Sequence, residues 1–429
     1  MRHGRGSFPR PSSDAFDAQM ESRFRSMLTF TNIKVENFLS LRKLDLELDA
    51  LNVLVGPNGA GKTNLLKVFQ FLGEVARREL APAVVSIGGF QNLLYRGEHR
   101  TGGNVRIELK GMVTKHSSPN ALDEYKLSFW RMSLRRGQSL PIAEIFQRIE
   151  DLIFKRYQGR GRRITLRGRK ATFSQDRADS VGPLQTLEVQ GGATGLGTLR
   201  RLSDEYGSPE WNAFAKVVED LRLFEIDVHK VRQPSDGTDS SWLRPDASNL
   251  AAFLLWLKTN ATPAFESICQ DVKFVLPGFD GFEFVTLGGA NEAIRLDIKE
   301  EHLNGSTPLA RASYGTIRAI ALFAMLHDPA PPRLTCLEEI DHGLHPHALD
   351  RVVERLREAS KRTQIILATH SPALVNRFDE TELVIVERSQ SSGESTFGRP
   401  DATLVADLKK RTDFGLGELW FSGVLGGGL

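Results

Sequence analysis

The chain has 429 residues, of which 40% are apolar and 25% are charged. This length suffices for two or three compact units, and these proportions exclude a mainly disordered chain. No run of 18 or more apolar residues is present, so the sequence predicts no membrane span and no membrane partner.

The net charge of +3 is unevenly distributed along the chain. Residues 131–170 contain twelve Lys and Arg against three acidic residues, a net charge of +9 that leaves −6 for the rest of the chain. This asymmetry is typical of a face that binds a polyanion such as DNA, and a solvated charged loop is the alternative interpretation. The candidate nucleic-acid contacts are Arg160, Arg162, Arg163, Arg167 and Arg169.

The two cysteines, Cys269 and Cys336, form no CxxC or Cys/His grouping, which argues against a disulfide framework and against a zinc knuckle. The first 14 residues carry basic side chains without an apolar segment, unlike a secretory signal. These features together predict a cytoplasmic protein.

The first 132 residues contain a tail and a first lobe. Residues 1–26 are rich in Arg, Ser, Pro and Gly and predict a disordered tail. In residues 27–132, alternating apolar residues predict strands that end in a buried run at residues 51–55. Helical spacing of apolar residues then predicts a helix at residues 64–78, and strand patterns return at residues 105–113 and 125–132.

The rest of the chain divides into a basic segment and a second lobe. Residues 133–240 have a mixed, basic pattern with glycine-rich breaks, which predicts an inserted α+β subdomain. In residues 241–429, a helical pattern at 247–270 and strand patterns at 282–286 and 293–298 come first. Strands and helices then alternate, which predicts an α/β fold with a mixed, largely parallel sheet flanked by helices. The predicted alternating elements are helix 316–327, strand 334–338, helix 346–361, strand 364–369 and strand 382–387.

A phosphate-binding loop follows the buried strand. Residues 56–63, GPNGAGKT, fit the pattern G-x-x-x-x-G-K-[ST] and stand between that strand and a predicted helix. Glycines let successive backbone N–H groups point at phosphate oxygens, and an incidental glycine-rich turn is the alternative. We therefore predict ATP binding, with Lys62 on the terminal phosphates and Thr63 on Mg²⁺. The predicted ATP-binding residues of this segment are Asn58, Gly59, Ala60, Gly61, Lys62, Thr63 and Asn64.

Two carboxylates stand at the end of the strand at residues 334–338. Neighbours on a strand point to opposite faces, so we expect Glu338 to reach Mg²⁺ and Glu339 to polarise the attacking water as a catalytic residue. The strand at residues 364–369 delivers His370 to the same sheet edge, where it is a candidate catalytic sensor of the γ-phosphate. An ordinary charged strand end and a structural histidine are the alternatives.

Four motifs follow one another in a fixed order: the phosphate loop, SYGT at 313–316, EEIDHGLHP at 338–346 and THSP at 369–372. The chain resembles ATP-binding-cassette (ABC) ATPases of the recombination and SMC type, and among them single-chain bacterial AAA-family ATPases similar to RecF and OLD heads. The resemblance covers residues 28–115 and 241–425 and includes the strand before the phosphate loop. It implies a P-loop NTPase fold with an ABC or RecF-like head.

The resemblance assigns further residues to the ATP site. Ser313 and Gly315 match the signature motif, which contacts ATP held by a second protomer, and Tyr314 stands where an acidic residue is commoner. Residues 342–345 match the D-loop, and Gln91 is a candidate for the metal-contacting glutamine of the Q-loop.

The resemblance also implies a homodimer that encloses two ATP molecules, with assembly beyond a dimer left open. We expect an ATP-hydrolysing switch linked to DNA, in bacterial phage defence with a separate effector such as a nuclease. We expect no nuclease domain in this chain, because the 57 residues after Pro372 in this sequence are too few for one. A RecF-like DNA repair mediator is the alternative. A non-hydrolysing scaffold and a transporter nucleotide-binding subunit are less favoured, because the ATPase residues are intact and the basic segment is large.

Overall fold

The phosphate-loop strand lies inside a six-stranded sheet. The computed structural model describes residues 29–97, 103–133, 145–155, 161–175, 185–201, 208–238, 241–288 and 293–426. The predicted tail at residues 1–26 and the candidate Arg160 lie outside these ranges.

Eighteen strands are assigned within the described residues. They are β1 (Phe30–Phe38), β2 (Leu41–Glu47), β3 (Leu51–Val55), β4 (Asn104–Gly111), β5 (Asp123–Arg131), β6 (Phe146–Phe154), β7 (Arg162–Arg167), β8 (Lys170–Gln175), β9 (Gln185–Glu188), β10 (Arg222–Phe224), β11 (Ser235–Asp236), β12 (Phe279–Leu287), β13 (Ala293–Glu300), β14 (Ser306–Pro308), β15 (Leu334–Glu338), β16 (Gln364–Thr369), β17 (Leu383–Arg388) and β18 (Ser395–Gly398).

The helices of the same residues are α1 (Lys62–Arg78), α2 (Leu80–Ser86), α3 (Phe90–Leu93), α4 (Ser208–Glu219), α5 (Val228–Val231), α6 (Leu250–Asn260), α7 (Thr262–Val275), α8 (Tyr314–Leu326), α9 (Pro346–Ala359), α10 (Pro372–Val375), α11 (Ala402–Arg411) and α12 (Leu416–Phe421). Short 3₁₀ helices lie at Leu199–Arg201, Leu309–Arg311 and Glu380–Glu382. Within the described ranges, we find no helix with the length and apolar character needed to cross a bilayer.

The central sheet has the strand order β10-β15-β16-β3-β17-β18. Its strands are parallel except for β18, which pairs antiparallel with β17. Leu54, Ile366 and Val384 face one hydrophobic core, whereas Val53, Leu367 and Ile385 face the other. A parallel sheet that is covered on both faces needs such continuous apolar strands, so the predicted α/β fold class is confirmed.

The first face of this sheet is covered by α1 and by an eight-stranded antiparallel sheet. The strand order of the second sheet is β2-β1-β4-β5-β6-β7-β8-β9. Phe71 of α1 lies between Phe38 and Phe129 of this sheet, with ring centroids 5.7 and 5.5 Å away. Because α1 is enclosed between two sheets, it buries apolar residues on nearly all sides.

The segment that we predict to be an inserted subdomain contributes to both sheets. Strands β6 to β9 extend the antiparallel sheet, and β10 pairs with β15 at the edge of the parallel sheet. The domain limits at residues 132 and 240 stay predictions, and the strands show that this segment continues sheets begun elsewhere in the chain.

Helices α6 to α9 and a small antiparallel sheet, β11-β13-β12 with β14 beside β13, cover the second face. The helical pattern predicted at residues 247–270 forms two helices, α6 and α7, with a break at Ala261. Pro263 explains the break, since proline lacks an N–H and its ring clashes with the carbonyl one turn earlier. It is tolerated in the first turn of α7.

A buried carboxylate joins three of these helices. Asp271 of α7 accepts hydrogen bonds from Arg351 Nε at 2.6 Å and Arg355 Nε at 2.7 Å, both on α9. His327, which follows α8, lies 2.6 Å from the same carboxylate. Burial raises the pKa of Asp271, but the hydrogen bonds from His327 and Arg355 outweigh it and hold the pKa below its ordinary value.

We expect Asp271→Asn to lower the free energy of unfolding by about 3 kcal/mol at pH 7, because it removes the charge that compensates the two guanidinium groups. The folded-state pKa of Asp271 is lowered, so its contribution is complete above the ordinary carboxyl pKa. It is lost as pH falls through the lowered folded-state value. Denaturation by guanidinium chloride, from pH 7 down through the lowered pKa, measures the loss of stability in the variant and the pH dependence of the wild type. In the control Asp350→Asn, an exposed pair with Arg377 is removed and less than about 1 kcal/mol should be lost. Equal losses in the two variants would contradict the importance of the buried charge.

Candidate functional site

The phosphate loop has the backbone that anion binding requires. Gly59 and Gly61 have φ angles of 80° and 112°, which favour glycine. Lys62 Nζ donates to the carbonyls of Gly56 at 2.6 Å and Pro57 at 3.0 Å, so the loop closes around its own lysine. Burial lowers the pKa of Lys62, while the charges of Glu339 and Glu338 act in the opposite direction.

Two serines support the loop from behind. Ser395 Oγ lies 2.5 Å from the carbonyl of Ala60 and 2.6 Å from Ser40 Oγ, and Asn64 Nδ2 donates to Ser40 Oγ at 2.6 Å. A Cβ at Gly61 would lie 2.1 Å from Ser395 Oγ. Sequence reasoning missed both serines. Ser395 belongs to β18, which is more than 300 residues from the loop in the chain, so no local pattern connects them. Ser40 is nearer, in the turn between β1 and β2, but a lone serine in a turn does not by itself indicate contact with the loop.

The oxygen atoms expected to hold Mg²⁺ meet at one sheet edge. The Thr63 hydroxyl contacts the Glu338 carboxylate directly. A hydroxyl and a carboxylate are oxygen donors of the kind that Mg²⁺ prefers, so this pair fits the ion. Gln91 is different: it lies exposed on α3, and no hydrogen bond among the described residues joins it to Thr63 or Glu338. The role of Gln91 as a third ligand stays a prediction.

Glu339 lies outside the strand that ends at Glu338. Its φ of 48° places it in a left-handed turn, so the expected alternation of two strand neighbours does not describe the pair. Three hydrogen bonds hold this backbone: Glu339 N donates to the carbonyl of Ala368 at 3.0 Å, and the Glu339 carbonyl accepts from Arg318 Nη2 at 3.1 Å and from His342 N at 3.3 Å. The turn directs the carboxylate toward His370, whose Nδ1 lies 3.2 Å from Oε1.

The signature segment begins helix α8. Ser313 caps the helix and accepts from Thr316 N at 3.1 Å. Gly315 lies against the turn after β15, and a Cβ added there would be 2.0 Å from the carbonyl of Gly343. The structure therefore gives Gly315 a packing role within its own chain. Tyr314 is exposed and its hydroxyl accepts from Arg318 Nη1 at 3.2 Å.

A cleft of about 820 Å³ lies between the end of β15, the start of α1 and the start of α8. Thr63, Glu338 and Glu339 line it together with Tyr314 and Arg318. Sequence reasoning missed several other lining residues, although the spacing of seven between Thr63 and Gln70 places both on one face of α1. These missed residues are Gln70, Asp227, His229, Lys230 and Arg318.

The basic candidates that the structure describes form part of a hairpin of β7 and β8. Arg167 pairs in register with Lys170, and Arg169 stands in the connecting turn. Arg163 forms an ion pair with Asp151 at 3.2 Å. The structure thus brings Arg162, Arg163, Arg167 and Arg169 to one exposed hairpin, where an acidic neighbour offsets part of their charge.

A phosphate loop between a buried parallel strand and a helix, with carboxylates at the end of a neighbouring strand, defines a P-loop NTPase fold. Residues 51–376 match the family described as "AAA domain, putative AbiEii toxin, Type IV TA system". The match spans more than half of the chain, and the chain belongs to this family.

The chain is similar to a curated relative and to solved structures of SMC heads, among others. The DNA replication and repair protein RecF of Lactobacillus acidophilus is 30% identical over 101 residues, which are 23% of this chain and 27% of the relative. The match thus spans about a quarter of that protein's length. An Smc head bound to the C-winged helix domain of ScpA is 13% identical and covers 88% of this chain and 99% of its own, with a TM-score of 0.49. The SMC head domain from Thermotoga maritima is 14% identical and covers 87% and 100%, with a TM-score of 0.40.

We expect Gly315→Ala to lower the free energy of unfolding by about 1–3 kcal/mol, because the added methyl group overlaps the Gly343 carbonyl and forces the turn away from α8. Urea denaturation measures the change. Gly281→Ala is the matched control, since a Cβ at Gly281 in β12 meets nothing within 4 Å. Wild-type stability of Gly315→Ala would show that the turn moves aside without cost.

Proposed function

We propose that this chain binds ATP with Mg²⁺ and hydrolyses it. The observation that carries the proposal is the convergence of Lys62, Thr63, Glu338, Glu339 and His370 at the carboxyl edge of one parallel sheet. Phosphoryl transfer depends on positioning and charge stabilisation, and these side chains supply a cation, oxygen ligands and a carboxylate at one edge of the sheet.

Each residue has a separate role in this proposal. The loop residues Asn58 to Asn64 present N–H groups to the phosphates, and Lys62 leaves its two loop carbonyls to pair with the terminal phosphate oxygens. Thr63 and Glu338 would hold Mg²⁺, which when bound neutralises charge on the β and γ phosphates. Glu339 accepts a hydrogen bond from the attacking water and then its proton. His370 approaches Glu339 and contacts the γ-phosphate.

The proposed active unit is a homodimer that encloses two ATP molecules. Ser313 and Tyr314 are exposed at the start of α8, so the N-terminus of this helix is accessible to a phosphate held by a second copy. Assembly beyond a dimer is left open. Arg318 joins the same helix to the Glu339 carbonyl, which supports coupling between the dimer contact and the catalytic carboxylate.

We expect Lys62→Ala to abolish detectable nucleotide binding, because a buried cation next to the phosphates is lost. Glu339→Gln should keep binding but lower turnover by about 10²–10⁴-fold, since the amide cannot accept the proton. Phosphate release measures turnover, and light scattering with ATP should find Glu339→Gln as a stable dimer. Glu266→Gln, an exposed change on α7, is the control and should match wild type. A monomeric Glu339→Gln with bound ATP would falsify the enclosed-dimer mechanism.

We further propose that ATP turnover acts as a DNA-linked switch in phage defence, in the cytoplasm, with a separate protein effector such as a nuclease. The description of the family as a putative toxin supports the defence role. The similarity to RecF over 101 residues supports the second candidate, a DNA repair mediator. Both candidates require a link between ATP hydrolysis and DNA. The rate of ATP hydrolysis with and without linear duplex DNA tests this link, and Glu339→Gln serves as the blank. Stimulation by DNA supports the link to nucleic acid, whereas turnover that ignores DNA points to a protein partner alone.

We expect neutralising Arg160 together with the four arginines of the β7–β8 hairpin (Arg162, Arg163, Arg167 and Arg169), each to Gln, to weaken duplex DNA binding and flatten its salt dependence. Each lost phosphate contact lowers the slope of log K against log salt by about 0.9. Fluorescence anisotropy at several salt concentrations measures the slope. A matched control neutralises five exposed cations elsewhere, namely Lys258, Lys361, Lys409, Lys410 and Arg411. If both variants had the same slope of log K against log salt, the arginines would be ordinary charged surface residues and not DNA contacts.

A further inference from the structure

Two imidazoles and a carboxylate form a cluster beside the magnesium pair. One ligand atom from each of Glu339, His342 and His370 lies within 4.8 Å of the others. His370 Nδ1 is 3.2 Å from one oxygen of Glu339, and His342 Nδ1 is 3.4 Å from the other. The two rings are nearly perpendicular, with centroids 5.6 Å apart. The cluster thus directs two ring nitrogens and a carboxylate toward one point.

The donor set suits a different class of cation from Mg²⁺. Imidazole nitrogen favours transition metals such as Zn²⁺, whereas Mg²⁺ takes oxygen ligands of the kind that Thr63 and Glu338 provide. Zinc–nitrogen bonds of about 2.0–2.1 Å in a tetrahedron place neighbouring ligand atoms about 3.3 Å apart. Each histidine nitrogen lies near this distance from one oxygen of Glu339, His370 from Oε1 and His342 from Oε2. The three ligand atoms lie within 4.8 Å of one another, so a metal held through one carboxylate oxygen would draw them closer together.

His370 and His342 are both available to a metal. His370 Nδ1 is buried, and among the described residues it has no hydrogen-bond partner despite its approach to Glu339, which is costly for a buried polar atom. The side chains of Glu339, His342 and His370 are 35%, 46% and 33% exposed, so a cation can enter from the cleft.

The other histidines of this loop are engaged elsewhere. His345 Nδ1 accepts from the backbone N–H of His347 at 3.3 Å, and the His347 ring stacks on Phe274 with centroids 4.7 Å apart. Within the part of the chain that the structure describes, His342 is therefore the loop imidazole that joins this cluster.

We propose that Glu339, His342 and His370 bind one transition-metal dication of the Zn²⁺ class, at a site separate from the Mg²⁺ pair, and that its occupancy blocks ATP turnover. The inhibitory part rests on the proposed function. A metal on Glu339 takes the lone pairs that would accept the proton from water, and it withdraws His370 from the γ-phosphate. Binding itself needs only the three side chains.

The binding test titrates Co²⁺ into the full untagged chain, without nucleotide and in excess Mg²⁺, and follows the visible ligand-field absorption of the metal. We expect one tetrahedral Co²⁺ per chain. His342→Gln and His370→Gln should each weaken Co²⁺ binding by more than about tenfold. Mutation of a residue that only orients a metal ligand already costs about tenfold or more in affinity, and these variants remove a ligand itself. His302→Gln removes an exposed histidine outside the cluster and should bind as wild type does. Undiminished Co²⁺ binding in His342→Gln would place the metal elsewhere and overturn the proposal.

The second test measures ATP turnover against added Zn²⁺, with each variant compared with its own metal-free rate. Wild type and His302→Gln should be inhibited, and His342→Gln should need more than about tenfold more Zn²⁺ for the same inhibition. If wild type binds Co²⁺ but turns over no ATP, the proposed function fails and the metal site stands. If wild type turns over ATP and Zn²⁺ inhibits all three proteins equally, the inhibitory site is wrong and the proposed function stands.

Discussion

The parallel register of β3, β16 and β15 is the constraint on which the site depends. Val55 pairs with Thr369, and Ala368 pairs with Glu338, so the three strands end at one level. Each loop therefore starts at the same edge, and Lys62, Glu339 and His370 come together although they lie up to about 300 residues apart in the chain. The buried apolar residues on both faces stabilise this register, since a slip by one residue would exchange the two faces.

Contacts outside the parallel strands then set the finer geometry of the edge. The left-handed conformation of Glu339 costs about 1–3 kcal/mol for a residue with a side chain. Arg318 and the Ala368 carbonyl hold this backbone from two sides. Arg318 belongs to α8, whose Gly315 packs against the turn at Gly343. A shift of α8 would therefore move the Glu339 carboxylate. The position of Lys62 depends instead on the phosphate loop and on Ser395, which contacts that loop.

Local patterns were sufficient for the parallel sheet and the phosphate loop. Strands β3, β15 and β16 are mainly apolar, almost fully buried runs with clear ends, and the sequence predicts their limits as the structure has them. The antiparallel sheet was harder, because β7 carries arginines at both ends and buries only Ile164 and Leu166. The left-handed turn at Glu339 and the contact of His342 with Glu339 depend on backbone angles after β15, which the local sequence does not indicate. The contact of Ser395 with the phosphate loop depends on residues far apart in the chain, so it has no local sequence signal either.

The position of Glu339 also limits what the cleft can do at one time. Its carboxylate faces His370 through one oxygen and His342 through the other, so both oxygens already have nitrogen neighbours. Each carboxylate oxygen has two lone pairs, so a water that loses a proton to Glu339 can use a lone pair that neither histidine nitrogen faces. A cation held by both imidazoles and this carboxylate would compete with that water for the same oxygens. The two histidines that lie beside the carboxylate are therefore also the groups through which a metal would act against it.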